Sequence, residues 1–200
     1  MKILLVGGNG TIGRYLNTTL SKEHEVIVAG RSKADVIVDI TDSESIKAMY
    51  EKVDNLDAVI CVAGEAKWEV FENLSEEDFY IGIKSKLMGQ VNLVRIGKDY
   101  LNHRGSFTLT TGILADEPVY MTSSAAMVNG GIHSFVKAVA LELGNGLRIN
   151  AVSSDLVEDA YEKYRSYFPG NIPVPMQKVA MGYIKAIESR LNGQIIRLQG

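Results

Sequence analysis

The stretch "LLVGGNGTIGRYL", residues 4–16, carries the spacing Gly8-x-Gly10-x-x-Gly13 and also Gly7-x-x-Gly10-x-x-Gly13. Glycines so placed permit a tight turn, a close approach of backbone to a pyrophosphate, and close helix–strand packing. A helix start just beyond them offers free N–H groups and a partial positive charge to phosphate. An apolar run precedes this loop and a helical pattern follows it, the context the motif needs. Gly7, Asn9, Gly10, Thr11, Ile12 and Gly13 are therefore predicted to hold a dinucleotide. The plainer reading is a glycine turn kept only for packing.

The end of the next apolar run, "EVIVAGRS", bears on which dinucleotide. A site for NAD would place Asp or Glu there, to bond the ribose 2′-hydroxyl. No acid is present; Gly30 leaves room, and Arg31 and Ser32 can bond a 2′-phosphate. A guanidinium–phosphate pair is charge-assisted and geometrically matched. These residues predict NADP(H) in preference to NAD(H), set against the reading of Arg31 as a solvated strand-end arginine.

The elements that must position these groups alternate. Apolar runs at 2–6, 25–30, 34–40, 57–64, 105–111, 148–153 and 193–198 read as buried parallel strands. Helical patterns lie between most of them, at 11–20, 45–53, 76–100, 122–143 and 176–189. Thr41 with Glu44, and Ser75 with Asp78, have capping-box spacing, and Gly144 is placed to stop the fourth pattern. Such alternation predicts an α/β fold: one Rossmann-type domain over residues 1–200, a doubly wound parallel sheet of about seven strands with helices on both faces. The one linker-like stretch, "YFPGNIPVP" at 167–175, reads as a surface loop.

The composition, 46% apolar and 22% charged, is that of an ordinary globular chain. A net charge of −3 gives no basic face for nucleic acid. The lone cysteine, Cys61, excludes an intrachain disulfide and a cysteine-based metal cluster, and no metal site is expected. The apolar start is too short for a signal segment and no run approaches a membrane span. The expectation is a cytoplasmic protein with no membrane partner.

In this order, the glycine loop, "VDITD", "VAG", "GSFTLTTG", "VALEL" and "LRINAVS" make the chain similar to the short-chain dehydrogenase/reductase family over nearly its whole length. The resemblance implies a Rossmann-type domain, NAD(P), and reversible hydride transfer between alcohols and carbonyls. It implies that Asp39 and Ile40 border the adenine, that Ala63 and Gly64 lie along the cofactor, and that Val157 meets the nicotinamide carboxamide. It also implies a homodimer or homotetramer formed through the two long helices, which a face of Ala and Gly allows.

The same resemblance shows what has changed. The family works with a Tyr-x-x-x-Lys pair, a Ser and an Asn. Counting back from "VALEL" places the Tyr position at Ala125 and the Lys position at Asn129; the Ser position falls on Gly112, beside Thr111, and the Asn position on Lys86. The family's Lys and Asn have in effect exchanged helices, so Lys86 Nζ is expected within a few ångströms of Asn129 or of the nicotinamide ribose. A solvated Lys86 is the plainer alternative. Lys86, Thr111 and Asn129 are the candidates for catalysis. Tyr120 and His133 are weaker ones, Trp68, Phe71 and Phe79 read as packing, and Asp116 and Glu117 as loop acids. The segment after Val157 is short for a lid and predicts a small or open pocket. Two functions follow: an NADP-dependent oxidoreductase with a rewired site acting on an unidentified small molecule, or a non-catalytic NADP(H)-binding sensor or regulatory scaffold.

Overall fold

The computed structural model describes residues 1–200. Seven parallel strands form one sheet in the order β3-β2-β1-β4-β5-β6-β7. They are β1 (Lys2–Val6), β2 (Glu25–Gly30), β3 (Val36–Ile37), β4 (Leu56–Cys61), β5 (Leu101–Gly112), β6 (Arg148–Ser154) and β7 (Ile195–Leu198). The helices are α1 (Thr11–Leu20), α2 (Ser43–Tyr50), α3 (Glu76–Gly82), α4 (Gly89–Gly97), α5 (Ser123–Val139), α6 (Tyr161–Tyr164) and α7 (Met176–Glu188).

Alternation along the central strands sends Ile3, Leu5, Ala58 and Ile60 to one face, where Leu16 and Leu20 of α1 and Val179, Tyr183 and Ile187 of α7 cover them. Leu4, Val6, Val59 and Cys61 go to the other face, against Ile46, Met49 and Tyr50 of α2, Leu93 and Val94 of α4, and Ile132 and Val136 of α5. The sheet is thus covered on both sides, as the near-continuous apolar strands require.

Boundaries depart from the sequence reading in several places, and three of them have a local cause. The third strand spans two residues rather than 34–40. Asp35 turns its carboxylate to the Val28 N–H at 2.9 Å, and beyond Val38 the Asp39 carboxylate takes both the N–H and the hydroxyl of Thr41, at 2.9 and 2.8 Å. These side-chain bonds replace a ladder at the sheet edge. Because Thr41 is so engaged, Asp42 is the N-cap of α2, accepting from the Glu44 N–H at 2.9 Å. At the other end, α5 closes at Val139 rather than Leu143, and the chain to Gly144 continues as turns.

The Ser75–Asp78 capping box forms as expected. The long pattern behind it is not uniform, however. Between α3 and α4 lies one π-helical turn, Ile83–Met88, and it contains Lys86. Such turns insert one surplus residue and re-aim a side chain, often at a functional site.

Candidate functional site

The strand order reverses beside β1, with β2 on one side and β4 on the other. A crevice opens at the carboxyl ends of strands at such a switch point. Here it is a cleft of about 430 Å³ lined by Gly7, Asn9 and Gly10 from the first loop, Gly30, Arg31 and Ser32 after β2, Asp39, Ile40 and Thr41 after β3, and Ala63, Gly64 and Glu65 after β4. The loop is built around Gly13. A Cβ there would sit 2.2 Å from the Gly7 carbonyl oxygen, so only glycine lets the first turn of α1 seat against the loop. No side chain caps α1, whose N-cap is Gly10. Its first N–H groups are therefore open to a ligand. Asn9 donates to the carbonyls of Ser32 and Lys33, at 3.1 and 2.9 Å, tying the glycine loop to the turn that carries Arg31. Arg31 extends along the rim, three-quarters exposed, with Glu65 its nearest anion at 3.9 Å. The two bonds from Thr41 hold the Asp39 carboxyl below its ordinary pKa.

A second cavity of about 550 Å³ shares Gly64 and Glu65 with this cleft. Its other walls are Ala66, Lys67, Trp68, Lys86, Gly112, Leu114, Ala125, Asn129, Tyr164 and Tyr167. Lys86, Gly112, Ala125 and Asn129, the four positions singled out by counting along the sequence, meet here although they come from three segments of the chain, the π turn, the end of β5 and α5. Gly64 sets the depth. At φ +121° it adopts a conformation that L residues rarely take, and a Cβ on it would lie 2.8 Å from the Lys86 Cα. The close approach brings the π turn against the end of the glycine-loop cleft.

Lys86 is half-buried rather than solvated, and burial lowers its pKa. No hydrogen bond or ion pair compensates it; the only other influence is Cys61. Asn129 is buried, and its Oδ1 has no hydrogen-bond partner. The two side chains share the cavity wall without a hydrogen bond between them. Cys61, the lone thiol, is buried and pushed up to about 11, so it is no thiolate nucleophile.

Other candidates fall elsewhere. Thr111 does not line the cavity. Its hydroxyl is buried and lies 2.9 Å from His133 Nε2, which fixes the tie between β5 and α5. His133 is buried and its pKa is lowered, chiefly by desolvation. Val157 is part of the core, bridges to Val174, and accepts from the Ala160 N–H at 3.0 Å. Thr11 and Ile12 do not border the cleft; they form the start of α1. Tyr120 is 73% exposed and away from the cavity. Asp116 is paired with Arg197 through two bonds of 2.8 and 2.9 Å. Phe71 is exposed, edge-on to Phe79.

Sequence reasoning missed Glu65, Ser85, Tyr164 and Tyr167. The last two lie in the short lid after Val157. Its aromatic density, "YEKYRSYF", was the available signal. The lid is pinned at both ends: Glu158 accepts from the Met176 N–H at 2.7 Å, and Asn171 donates to both oxygens of Asp155, at 3.0 and 2.9 Å. Behind the cavity, Gln90 makes two buried bonds to the Thr110 backbone, at 3.0 and 2.9 Å, which lock α4 to β5.

A family model described as enoyl-(acyl carrier protein) reductase matches residues 8–183. The protein lin1944 from Listeria innocua, known from its crystal structure, is 44% identical, with 98% of each chain covered and a TM-score of 0.96. A small-chain dehydrogenase crystallised in complex with NADPH is 28% identical, with 100% of this chain and 96% of the other covered, at TM-score 0.87. A short chain dehydrogenase/reductase family protein, 17% identical, shares the fold over 99% of this chain at TM-score 0.87. No protein of curated function matches. No helix is long and apolar enough to cross a membrane.

Proposed function

The chain belongs to the short-chain dehydrogenase/reductase family, and from that premise we propose that it binds NADP(H) in the cleft and reduces a small carbonyl compound in the adjoining cavity. The observation that carries this reading is the shared wall. The cavity holding Lys86, Gly112, Ala125 and Asn129 joins the glycine-loop cleft at Gly64 and Glu65. The neighbour crystallised with NADPH supports the choice of nicotinamide dinucleotide.

The residues present fit that group. The uncapped start of α1 and the close-packed glycine loop suit a pyrophosphate. Arg31 and Ser32 would meet a 2′-phosphate, and Asp39 and Ile40 would border the adenine. When bound, the cofactor supplies hydride chemistry. The chain's own part is to place the substrate and manage charge. Ala125 offers no proton, so Lys86 takes the role of holding the oxygen on which negative charge develops. A preorganised cation in a desolvated site is effective there. The unpartnered Asn129 Oδ1 would accept from the Lys86 ammonium and so orient it.

The test is a calorimetric titration with NADPH and NADH, then turnover against aldehydes, ketones, quinones and an enoyl thioester. Tight NADPH binding with turnover abolished in Lys86→Met supports the enzyme. Tight binding with no turnover favours the second reading, a non-catalytic NADP(H) sensor or regulatory scaffold, to which the absence of a tyrosine at Ala125 already points. The family relation and the exposed Ile81, Met88 and Met127 on α3, the π turn and α5 support a homodimer or homotetramer through these helices. Equilibrium sedimentation checks it, and a monomer at micromolar concentration refutes it.

A further inference from the structure

Trp68, Tyr164 and Tyr167 form one wall of the cavity, and Lys86 and Asn129 line it with them. The Trp68 ring centroid lies 5.4 Å from that of Tyr164 and 5.5 Å from that of Tyr167, the latter pair nearly perpendicular at 87°. Ala66, Leu114 and Ala125 complete the apolar lining. Aromatic walls favour flat π-systems, which gain offset or edge-to-face contacts beyond area burial. The same cavity carries two ammonium groups, Lys67 and Lys86, and Lys86 has no anion of its own.

We propose that this cavity takes a planar quinonoid carbonyl, held against the Trp68–Tyr164–Tyr167 wall with one carbonyl oxygen toward Lys86. The proposal rests on reading the neighbouring cleft as the NADP(H) site. The missing acid is what selects the substrate class. Hydride addition to an ordinary ketone leaves an alkoxide, whose conjugate acid is about as weak as water. That step needs a placed proton donor, which Ala125 cannot be. Hydride transfer to one carbonyl oxygen of a quinone forms that O–H bond, aromatises the ring and leaves the opposite oxygen, the one toward Lys86, as the phenolate of a hydroquinone monoanion, whose conjugate acid has a pKa of about 10. Such an anion needs a cation beside it, not a general acid. The balance is complete: quinone and NADPH give hydroquinone monoanion and NADP+, and the monoanion takes its second proton from solvent.

Trp68 is the only tryptophan, so its fluorescence reports on this wall alone. The probe is tetramethyl-1,4-benzoquinone, which has no open ring position for a nucleophile to attack. Titrated into the NADP+-loaded protein, it is expected to quench Trp68 saturably, well beyond the collisional quenching of N-acetyltryptophanamide, and Lys86→Met weakens that binding about tenfold. With NADPH, the quinone is reduced at least about 10²-fold faster than acetophenone or cyclohexanone, the low end of what a general acid contributes. Trp68→Leu raises KM with little change in kcat.

Failure to bind NADPH in calorimetry overturns the reading of the cleft on which this rests. NADPH binding with only collisional quenching by the quinone overturns the substrate class alone. Acetophenone reduced as fast as the quinone shows that a proton donor is present and also overturns it. The fluorescence arm uses the native chain, so a misfolded variant leaves the test intact.

Discussion

Removing the Arg31 guanidinium separates the two nicotinamide cofactors. The side chain is three-quarters exposed and its nearest anion is Glu65 at 3.9 Å. A hydrogen bond to a charged group contributes about 1.5–3 kcal/mol. Exposure argues for the low end, because solvent screens rim charges, which gives NADPH an advantage of about tenfold from Arg31. Glu65 works against it. Unit charges about 4 Å apart in water interact by about 1 kcal/mol, so a 2′-phosphate that draws Arg31 away from Glu65 surrenders a comparable amount and gains a repulsion. Arg31→Ala is therefore expected to weaken NADPH about tenfold and leave NADH within about twofold, and Glu65→Gln to tighten NADPH about fivefold. Calorimetric titration at low salt reads both, and both effects shrink as ionic strength rises. Equal losses for NADPH and NADH in Arg31→Ala refute the placement of the 2′-phosphate, and weaker NADPH binding in Glu65→Gln refutes the electrostatic argument.

Three further perturbations test other parts of the site. Lys86→Met removes a half-buried, uncompensated ammonium, so the thermal midpoint is expected to hold or rise while turnover is lost; in the native protein turnover falls as pH rises through the lowered Lys86 pKa. Gly13→Ala forces a Cβ to 2.2 Å from the Gly7 carbonyl oxygen, and is expected to destabilise by about 1–3 kcal/mol in urea unfolding and to abolish calorimetric binding of NADPH. The buried His133 has a lowered pKa, so the unfolded chain binds more protons in the window between the folded value and the unfolded value of about 6.5. Stability thus rises with pH through that window and is lost on acidification below about 6.5; urea midpoints of His133→Gln should show a shallower fall, and an identical fall would move the acid sensitivity to another group.

The strands were legible because a parallel sheet buried on both faces reads as runs of apolar residues, and the glycine loop because backbone geometry there tolerates few alternatives. The edges were less legible. At β3, Asp35 and Asp39 spend their carboxylates on nearby backbone, and nothing in an apolar run signals that competition. Lys86 was placed from sequence by its position, but the π turn that aims it has no sequence signature distinct from an α-helix. Thr111 misled for the opposite reason: β5 alternates, so the neighbour of a cavity residue faces away from it. Tyr164 and Tyr167 were hidden because a lid segment is shaped by where it is pinned, here at Asp155 and Glu158, rather than by periodicity.

The two halves of the site touch at only two shared residues, Gly64 and Glu65. Most of the cleft is drawn from residues 6–41, and most of the cavity from residues 66–167. The arrangement makes the halves separately heritable. A lineage can exchange a tyrosine for an alanine on α5, or reshape the lid, while the dinucleotide half continues to fold and bind as before. Change in reaction then proceeds through intermediates that all retain the cofactor, so the loss of one proton donor opens other chemistries to the scaffold instead of ending its use.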